Sequence, residues 1–486
     1  NTILYLLNGE LQVNEHSING KQMIWFENDG QEINIKASED SRFIILSGEP
    51  LNEKVISHGP FVMNNEQEIY QAIEDYQNEF RFHFPHEHRP AGCPAKTTPL
   101  TPILAAKWAE FTVVNGWERV EYFKPSPDFH PRYTFDFDES FDVIAKEVEL
   151  VQTKVGLSEV NGFNRIEITG ADRHSFLDRM MCGHVQKRDG RVGLGYLLNH
   201  HGMIKAEATV ANIPASDRGP DRVWYGSAAA SEYHDMDWLT SHVQDDEDVQ
   251  FKSLTNDQTI LVLAGPQARD VLSKAARGDW SKGAFPWLSV RECFIGFAPA
   301  TVMAVSFSGE LAYEIHVPNS ALYAAYLALT DAGVEYELGL FGTRAVESMR
   351  MEKGFLHWKS DLITELDPFE TGLDRFVKMD KDDFIGKAAL EERVRNGVQK
   401  RLVSLEIDCE YAPAYGGASL MQGNDVVGTI TSGAWGDRVG KNLAYAFIDP
   451  EYADIGTCVQ LDLLGQLVGA TVCTPSPYDP NFELLH

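Results

Sequence analysis

The chain has 486 residues, with 42 Lys and Arg against 72 Asp and Glu, and this formal charge of −30 repels nucleic acid and anionic membrane surfaces over long range. At roughly 100 to 200 residues per domain the length predicts about three domains; no apolar run approaches the roughly 18 residues of a membrane span or opens the chain as a leader, so a cytoplasmic protein with neither nucleic-acid nor membrane partners is expected. The six cysteines, Cys93, Cys182, Cys293, Cys409, Cys458 and Cys473, contain no C-x-x-C pair, which argues against a disulfide framework or a zinc ribbon.

The first elements are strands. "ILYLLNGELQVNE", "QEINIKAS" and "SRFIILSG" alternate apolar and polar residues between "NGK" and "ENDG" turns, which predicts a small antiparallel β unit. Asn65 and Glu68 then have capping-box spacing, with Ile69, Ile73 and Tyr76 at helical intervals, so one helix closes the segment. Over roughly residues 1 to 80, "SGEPLNEKVISHGPFVMNNEQEIYQAIEDYQ" resembles the C-terminal cupin domain of pirins. The metal-binding half of pirins is the N-terminal one, so the resemblance implies a partial cupin with no metal, and a structural rather than ligand role for His58.

The stretch "HFPHEHRPAGCP" follows, with His83, His86, His88 and Cys93 as potential zinc ligands by residue type. Their spacing matches no recurring zinc pattern, and the pirin-like match ends just before it, so a seam between two segments is the competing reading. From about 86 to 150 the chain mixes prolines, small residues and aromatics and reads as irregular structure packed on a larger body. There "HEHRPAG" and "GWERVEYF" resemble the middle segment of the dimethylglycine and sarcosine dehydrogenase family, which joins a flavin domain to a folate-binding domain.

From about 150 onward the blocks "VGLSEVNGFNRIEITGADRHSFLDRMM", "LLNHHGMIKAEATV", "LAGPQARDVL", "SFSGELAYEIHVP", "GLFGTRAVESMRMEKGF" and "DFIGKAAL" resemble the glycine cleavage T-protein (aminomethyltransferase) superfamily. Near Lys400 short strands broken by Gly-Asn, Asn-Asp and Gly-Gln turns predict a separate small β-barrel. The expected architecture is α+β: a cupin-like segment at 1–82, a linking segment at 83–150, a folate-binding body at 151–398 and a C-terminal barrel at 399–486.

Within "SGELAYEIHVP" the alternation places Leu311, Tyr313, Ile315 and Val317 on one strand face and Ala312, Glu314 and His316 on the other. A carboxylate can accept a ring N–H and an adjacent amino group as a bidentate pair, and the resemblance puts Glu314 in that role toward a pterin ring. The resemblance also aligns Glu207, in "GMIKAEATV", with a family aspartate beside the reactive carbon, where a carboxylate stabilises positive charge or manages a proton. The extra methylene moves that carboxylate by about an ångström, enough to cost on the order of a hundredfold in rate unless the pocket adapts. Phe307 and Leu194 stand where the family often has tyrosine. Arg344 matches a family arginine and is the expected cation for an acidic folate tail, against the alternative of a salt bridge; Trp358 is a further candidate lining residue, against a place in the core.

The resemblance therefore implies a tetrahydrofolate-dependent one-carbon transferase. Its substrate would be a methylated amine such as dimethylglycine or sarcosine, or the iminium derived from it, with a separate flavin oxidase as possible partner. A folate-dependent demethylase of another methylated donor, and a non-catalytic folate-binding or interaction module, remain alternatives. No G-x-G-x-x-G, P-loop or H-E-x-x-H motif points to other chemistry.

Overall fold

The computed structural model describes residues 2–27, 30, 32–48, 56–58, 61–65, 67, 69, 94–132, 134–229 and 231–485, with the backbone alone at 56–58, 61 and 62. They fall into two compact units, 1–83 and 84–486. The histidine-rich stretch from His83 to Cys93, the side chain of His58, and Glu68, Ile73 and Tyr76 lie outside these residues.

In the first unit the expected long strand "ILYLLNGELQVNE" is broken at Gly9, whose φ of +91° favours glycine and where a Cβ would collide with Ser41. The break divides the chain between two three-stranded sheets. One orders Met23–Phe26, Thr2–Asn8 and Arg42–Ser47, and the other His16–Asn19, Glu10–Val13 and Ile35–Ala37. Leu4, Leu6, Leu11, Val13 and Ile18 form a core between them. Cross-strand pairing places Met23, Trp25, Ile44 and Leu46 together with Ile3 and Tyr5 on the opposite face of the first sheet, and Trp25 is 67% exposed there.

The second unit opens with more order than its composition predicts. Residues 109–123 are a hairpin, Ala109–Val114 paired with Trp117–Phe123, closed by Asn115 and Gly116 at φ +51° and +81°. An Asn-Gly pair between alternating apolar residues is the chemistry of a two-residue turn, and it outweighs the neighbouring prolines. The helix Phe141–Thr153 follows. Its buried Glu147 accepts hydrogen bonds from the backbone N–H of Phe123, at 2.7 Å, and of Gly342, at 2.9 Å, and burial raises its carboxyl to about 7. Glu159 is likewise raised to about 7 by burial while accepting from Thr98 Oγ1 at 2.5 Å.

The body is built on two sheets. The six-stranded sheet runs Val290–Ile295, Ala298–Met303, Ala312–Pro318, Gln258–Ala264, Gly156–Val160 and Gly339–Leu340. The five-stranded sheet runs Val192–Leu198, Ile204–Ile213, Arg222–Ser227, Asn164–Thr169 and Gln250–Ser253. Each covers one face with its own helices. Tyr313, Ile315 and Val317 join the helices Ala268–Ala275 and Leu322–Gly333, while Ala206, Ala208 and Val210 join Arg173–Met180. The remaining faces meet: Val192, Ala211, Ile213 and Trp224 of one sheet share a core cluster with Val290 and Met303 of the other. The six-stranded closed barrel begins at Arg401, as the turn pattern predicts; one of its hairpins turns at Leu464 and Gly465, both at positive φ.

The helix Thr343–Lys353 joins body to barrel. Its last turn buries Arg350, Glu352 and Lys353, each 1% exposed or less, and it stops at Gly354 (φ +79°), where a Cβ would strike the Pro475 carbonyl. Arg350 Nη1 donates to Asp361 at 2.6 Å, and Asp361 also accepts from the His357 N–H and from Thr431 and Ser432 of the barrel, at 2.8, 2.5 and 2.6 Å. Glu352 pairs with Arg438, which reaches Glu310 at 2.7 Å. Lys353 pairs with Asp479 at 2.7 Å. Replacing Asp361→Ala leaves the buried Arg350 guanidinium with Glu347 as its remaining carboxylate partner and removes the acceptor of two barrel hydroxyls. The expected cost is about 3–5 kcal/mol, read as a lower urea midpoint, with Asp361→Asn losing less.

Candidate functional site

The Ile204–Ile213 strand turns Ala206, Ala208 and Val210 toward its helices, so Glu207, Thr209, Ala211 and Ile213 face the other sheet. On the six-stranded sheet Glu314 pairs across strands with Met303, which belongs to the inter-sheet cluster. Glu207 and Glu314 therefore project from opposite walls into one inter-sheet space. The sequence alternation at 311–317 holds: Tyr313, Ile315 and Val317 are fully buried on the helix side, and Glu314 and His316 lie on the other.

Glu207 is half-buried. Its Oε1 accepts the hydroxyl of Tyr196, its cross-strand neighbour, at 2.6 Å. Lost hydration dominates over that bond and raises the Glu207 carboxyl to about 7; burial and the adjoining carboxylate hold the Tyr196 phenol well above its usual range. At neutral pH Glu207 thus takes and releases a proton at little cost, which suits a group beside a carbon that gains and loses positive charge.

Glu314 sits at 32% exposure with the buried His316 Nε2 at 3.3 Å. Burial lowers the pKa of His316, favouring the neutral ring, and Arg165 Nη1 lies 3.4 Å from its Nδ1. With Nδ1 accepting from Arg165, the ring proton is placed on Nε2, toward Glu314. Arg165 is anchored by the Gln258 carbonyl at 2.6 Å, and Trp224 meets the His316 ring edge-on at 5.6 Å. Among the described residues no lysine or arginine comes within ion-pair distance of Glu314. Its carboxylate keeps spare acceptor capacity at a half-buried position, and that fits a flat heterocycle offering paired N–H donors.

The other expected residues divide. Phe307 is 40% exposed and stacks on Phe355 at 6.0 Å and 12°. Its loop is fixed by Ser306 bonding the Glu310 carbonyl, and by Arg438 and Tyr478 on the Glu310 carboxylate. Leu194 is 43% exposed on the same face as Glu207. Both present exposed apolar surface. Trp358 is buried in a cluster with Tyr196, Cys182 and Leu362, behind the Glu207 hydrogen bond. The Arg344 guanidinium lies 2.9 Å from Ser140 Oγ and 3.6 Å from Glu121, over the Tyr122 ring, and burial lowers its pKa to about 10. The Glu121 contact is of the kind that the salt-bridge alternative describes. Tyr196, Arg165 and the tautomer-setting contact of His316 are what residue-by-residue reading missed. Tyr196 was within reach, since it lies two residues from Leu194 on the same strand face. Among the described residues no cluster of three His, Cys, Asp or Glu is arranged for a metal, and no helix is long and apolar enough to cross a membrane.

The family model for the GCVT N-terminal domain matches residues 100–381, that for the glycine cleavage T-protein C-terminal barrel domain 400–479, and that for the pirin C-terminal cupin domain 1–83. Mitochondrial dimethylglycine dehydrogenase of Rattus norvegicus is 32% identical over 406 residues, 83% of this chain and 47% of that protein. Aminomethyltransferase of Bacillus subtilis is 30% identical over 334 residues, 68% of this chain and 90% of that protein. The chain thus spans about half the length of the dehydrogenase and nearly all of the transferase. The crystal structure of the glycine cleavage system aminomethyltransferase T from Bartonella henselae superposes with a TM-score of 0.68 at 21% identity, over 79% of this chain and 99% of that one, which shows a shared fold.

The Tyr196 bond stabilises ionised Glu207, so Tyr196→Phe is expected to move the Glu207 titration upward from about 7. Carbon-detected NMR of glutamate-labelled protein reads the shift, and a midpoint that stays in place contradicts the assigned contact.

Proposed function

Because the chain belongs to the glycine cleavage T-protein family, we propose that it is a folate-dependent enzyme of the aminomethyltransferase type, acting on a methylated amine such as dimethylglycine or sarcosine, or on its iminium product. The observation that carries this reading is the pair of carboxylates on facing sheets: Glu314 with open acceptor capacity, and Glu207 with a carboxyl near neutrality. Tetrahydrofolate, when bound, supplies the nitrogen that takes up the one-carbon unit. Glu314 accepts the paired donors of the ring edge, held in place by His316, which is set in turn by Arg165. Glu207 in its ionised form stabilises positive charge at the transferring carbon and accepts a proton. Phe307 and Leu194 cover the ring with apolar surface. Arg344 and Trp358 act at one remove: Arg344 fixes the start of the Thr343–Lys353 helix, and Trp358 backs Tyr196. Oxidation of the amine falls to a flavin oxidase activity that none of these residues performs.

Calorimetric titration with tetrahydrofolate tests the reading. Glu314→Ala is expected to weaken binding by roughly tenfold or more, from the loss of a charge-assisted bidentate pair. Normal binding by this variant removes the basis for the site.

Glu207→Ala is expected to lower turnover more than affinity. Turnover of the intact chain is expected to rise with pH through about 7, as Glu207 ionises. A flat profile across that range separates Glu207 from the chemistry.

A further inference from the structure

A second concavity lies at the far end of the inter-sheet space. It is a cleft of about 470 Å³ where the 186–191 loop and Ile213 of one sheet meet Ser289 to Glu292 of the other. The loop is stitched across the joint: the Val192 N–H donates to the Leu288 carbonyl and the Val290 N–H to the Gly190 carbonyl, both at 2.9 Å. Ile213 is six residues from Glu207 on the same strand face, a separation of roughly 20 Å at strand rise. Ala211, Trp224, Val192 and Met303 fill the interval as packed core, so the cleft is separate from the Glu207–Glu314 space.

Three arginines line it. Arg191 is partly buried and spends two of its N–H donors on Ser289 Oγ and the Trp287 carbonyl, at 2.8 and 3.0 Å. Arg291 lies over the rings of Trp280 and Phe285, at 4.8 and 5.0 Å, with bonds to the Asp279 and Ala284 carbonyls at 2.6 and 2.9 Å. Each leaves three of a guanidinium's five donors for a ligand. Arg188 is exposed at the rim, and its charge, after burial, contributes to a lowered pKa at Arg191. Among the described residues no carboxylate lies within ion-pair distance of any of the three. Glu292, the acid on the wall, is already neutralised by Arg222 at 2.5 Å and Arg218 at 3.6 Å, and Asp189 completes the rim. In a chain of charge −30, three arginines line one cleft and, among the described residues, none has a carboxylate within ion-pair distance; two of them are held by aromatic rings or backbone oxygens before any ligand arrives.

We propose that this cleft binds a small multivalent oxyanion, a molecule bearing carboxylate or phosphate groups, between Arg188, Arg191 and Arg291. The ligand closes the like-charge contact of Arg188 and Arg191, and the fixed forks set its orientation. Among the described residues Arg188 makes no side-chain hydrogen bond or ion pair, so it can be changed without loosening the cleft.

The test is calorimetric titration of the full chain with sodium pyrophosphate and with succinate, at an ionic strength held constant with chloride. Saturable 1:1 binding of at least one of them is expected, weakened tenfold or more by Arg188→Glu and also weakened by Arg291→Lys, with the thermal midpoint of Arg188→Glu unchanged. Binding is expected to persist in the presence of saturating tetrahydrofolate. No saturable binding of either anion, or equal binding by Arg188→Glu, overturns the proposal. Competition by tetrahydrofolate overturns it as well, since the cleft is then one end of the folate site.

Discussion

The last turn of the Thr343–Lys353 helix buries three charged side chains, and the second unit is organised around satisfying them. A buried charge without a partner costs several kcal/mol, so Arg350, Glu352 and Lys353 each require an opposite charge at close range. Arg350 meets Glu347 within the helix, and the other partners come from three separate parts of the chain. Asp361 lies in the loop after the helix and binds two barrel hydroxyls, Arg438 lies between two barrel strands, and Asp479 lies in the segment beyond the barrel. One helix end thereby holds the barrel and the chain's last turns against the body. Because Arg438 and Tyr478 also hold Glu310, the same junction fixes the loop that carries Phe307.

Polar chemistry is similarly confined where the two sheets meet. The outer face of each sheet is closed largely by apolar side chains and its own helices, and Glu207, Glu314 and Glu292 lie on the inner faces. At one end are Glu207 and Glu314; in the middle the apolar cluster of Ala211, Trp224, Val290 and Met303 seals the joint; at the other end Arg191, Arg291 and Glu292 line the cleft. The arrangement separates an acidic region from a basic one within a single interface. It also explains how a strongly acidic chain can accommodate anions: the basic groups are concentrated locally, where the overall charge is screened.

Sequence reasoning went furthest where one periodicity was sufficient. The two-residue alternation at 311–317 identified which side chains share the Glu314 face, and turn residues located the barrel within a residue of its first strand. It failed where two signals competed. Prolines and aromatics between 86 and 150 concealed the Asn115–Gly116 hairpin, and alternating residues at the N-terminus concealed the break at Gly9, where Ser41, just before the Arg42–Ser47 strand, approaches closely. Side-chain partners were the least legible. Arg344 and Arg350 sit six residues apart on one helix, and nothing local shows that the first pairs with Glu121 and the second, beyond its neighbour Glu347, with Asp361. Tyr196, which shares the Glu207 proton environment, belongs to the neighbouring strand.

The buried glutamates have a calorimetric consequence. Glu147, Glu159 and Glu207 are each raised to about 7, whereas the unfolded chain releases these protons at ordinary carboxylate pH. Near pH 6 these three carboxyls take up protons on folding, while His316 and His357, whose pKa values burial lowers, release them. The formal charge of −30, which counts all three as ionised, overstates the negative charge of the folded molecule at neutrality. The enthalpy of unfolding consequently depends on the ionisation heat of the buffer, and that dependence reads the net proton exchange of the buried carboxyls and imidazoles.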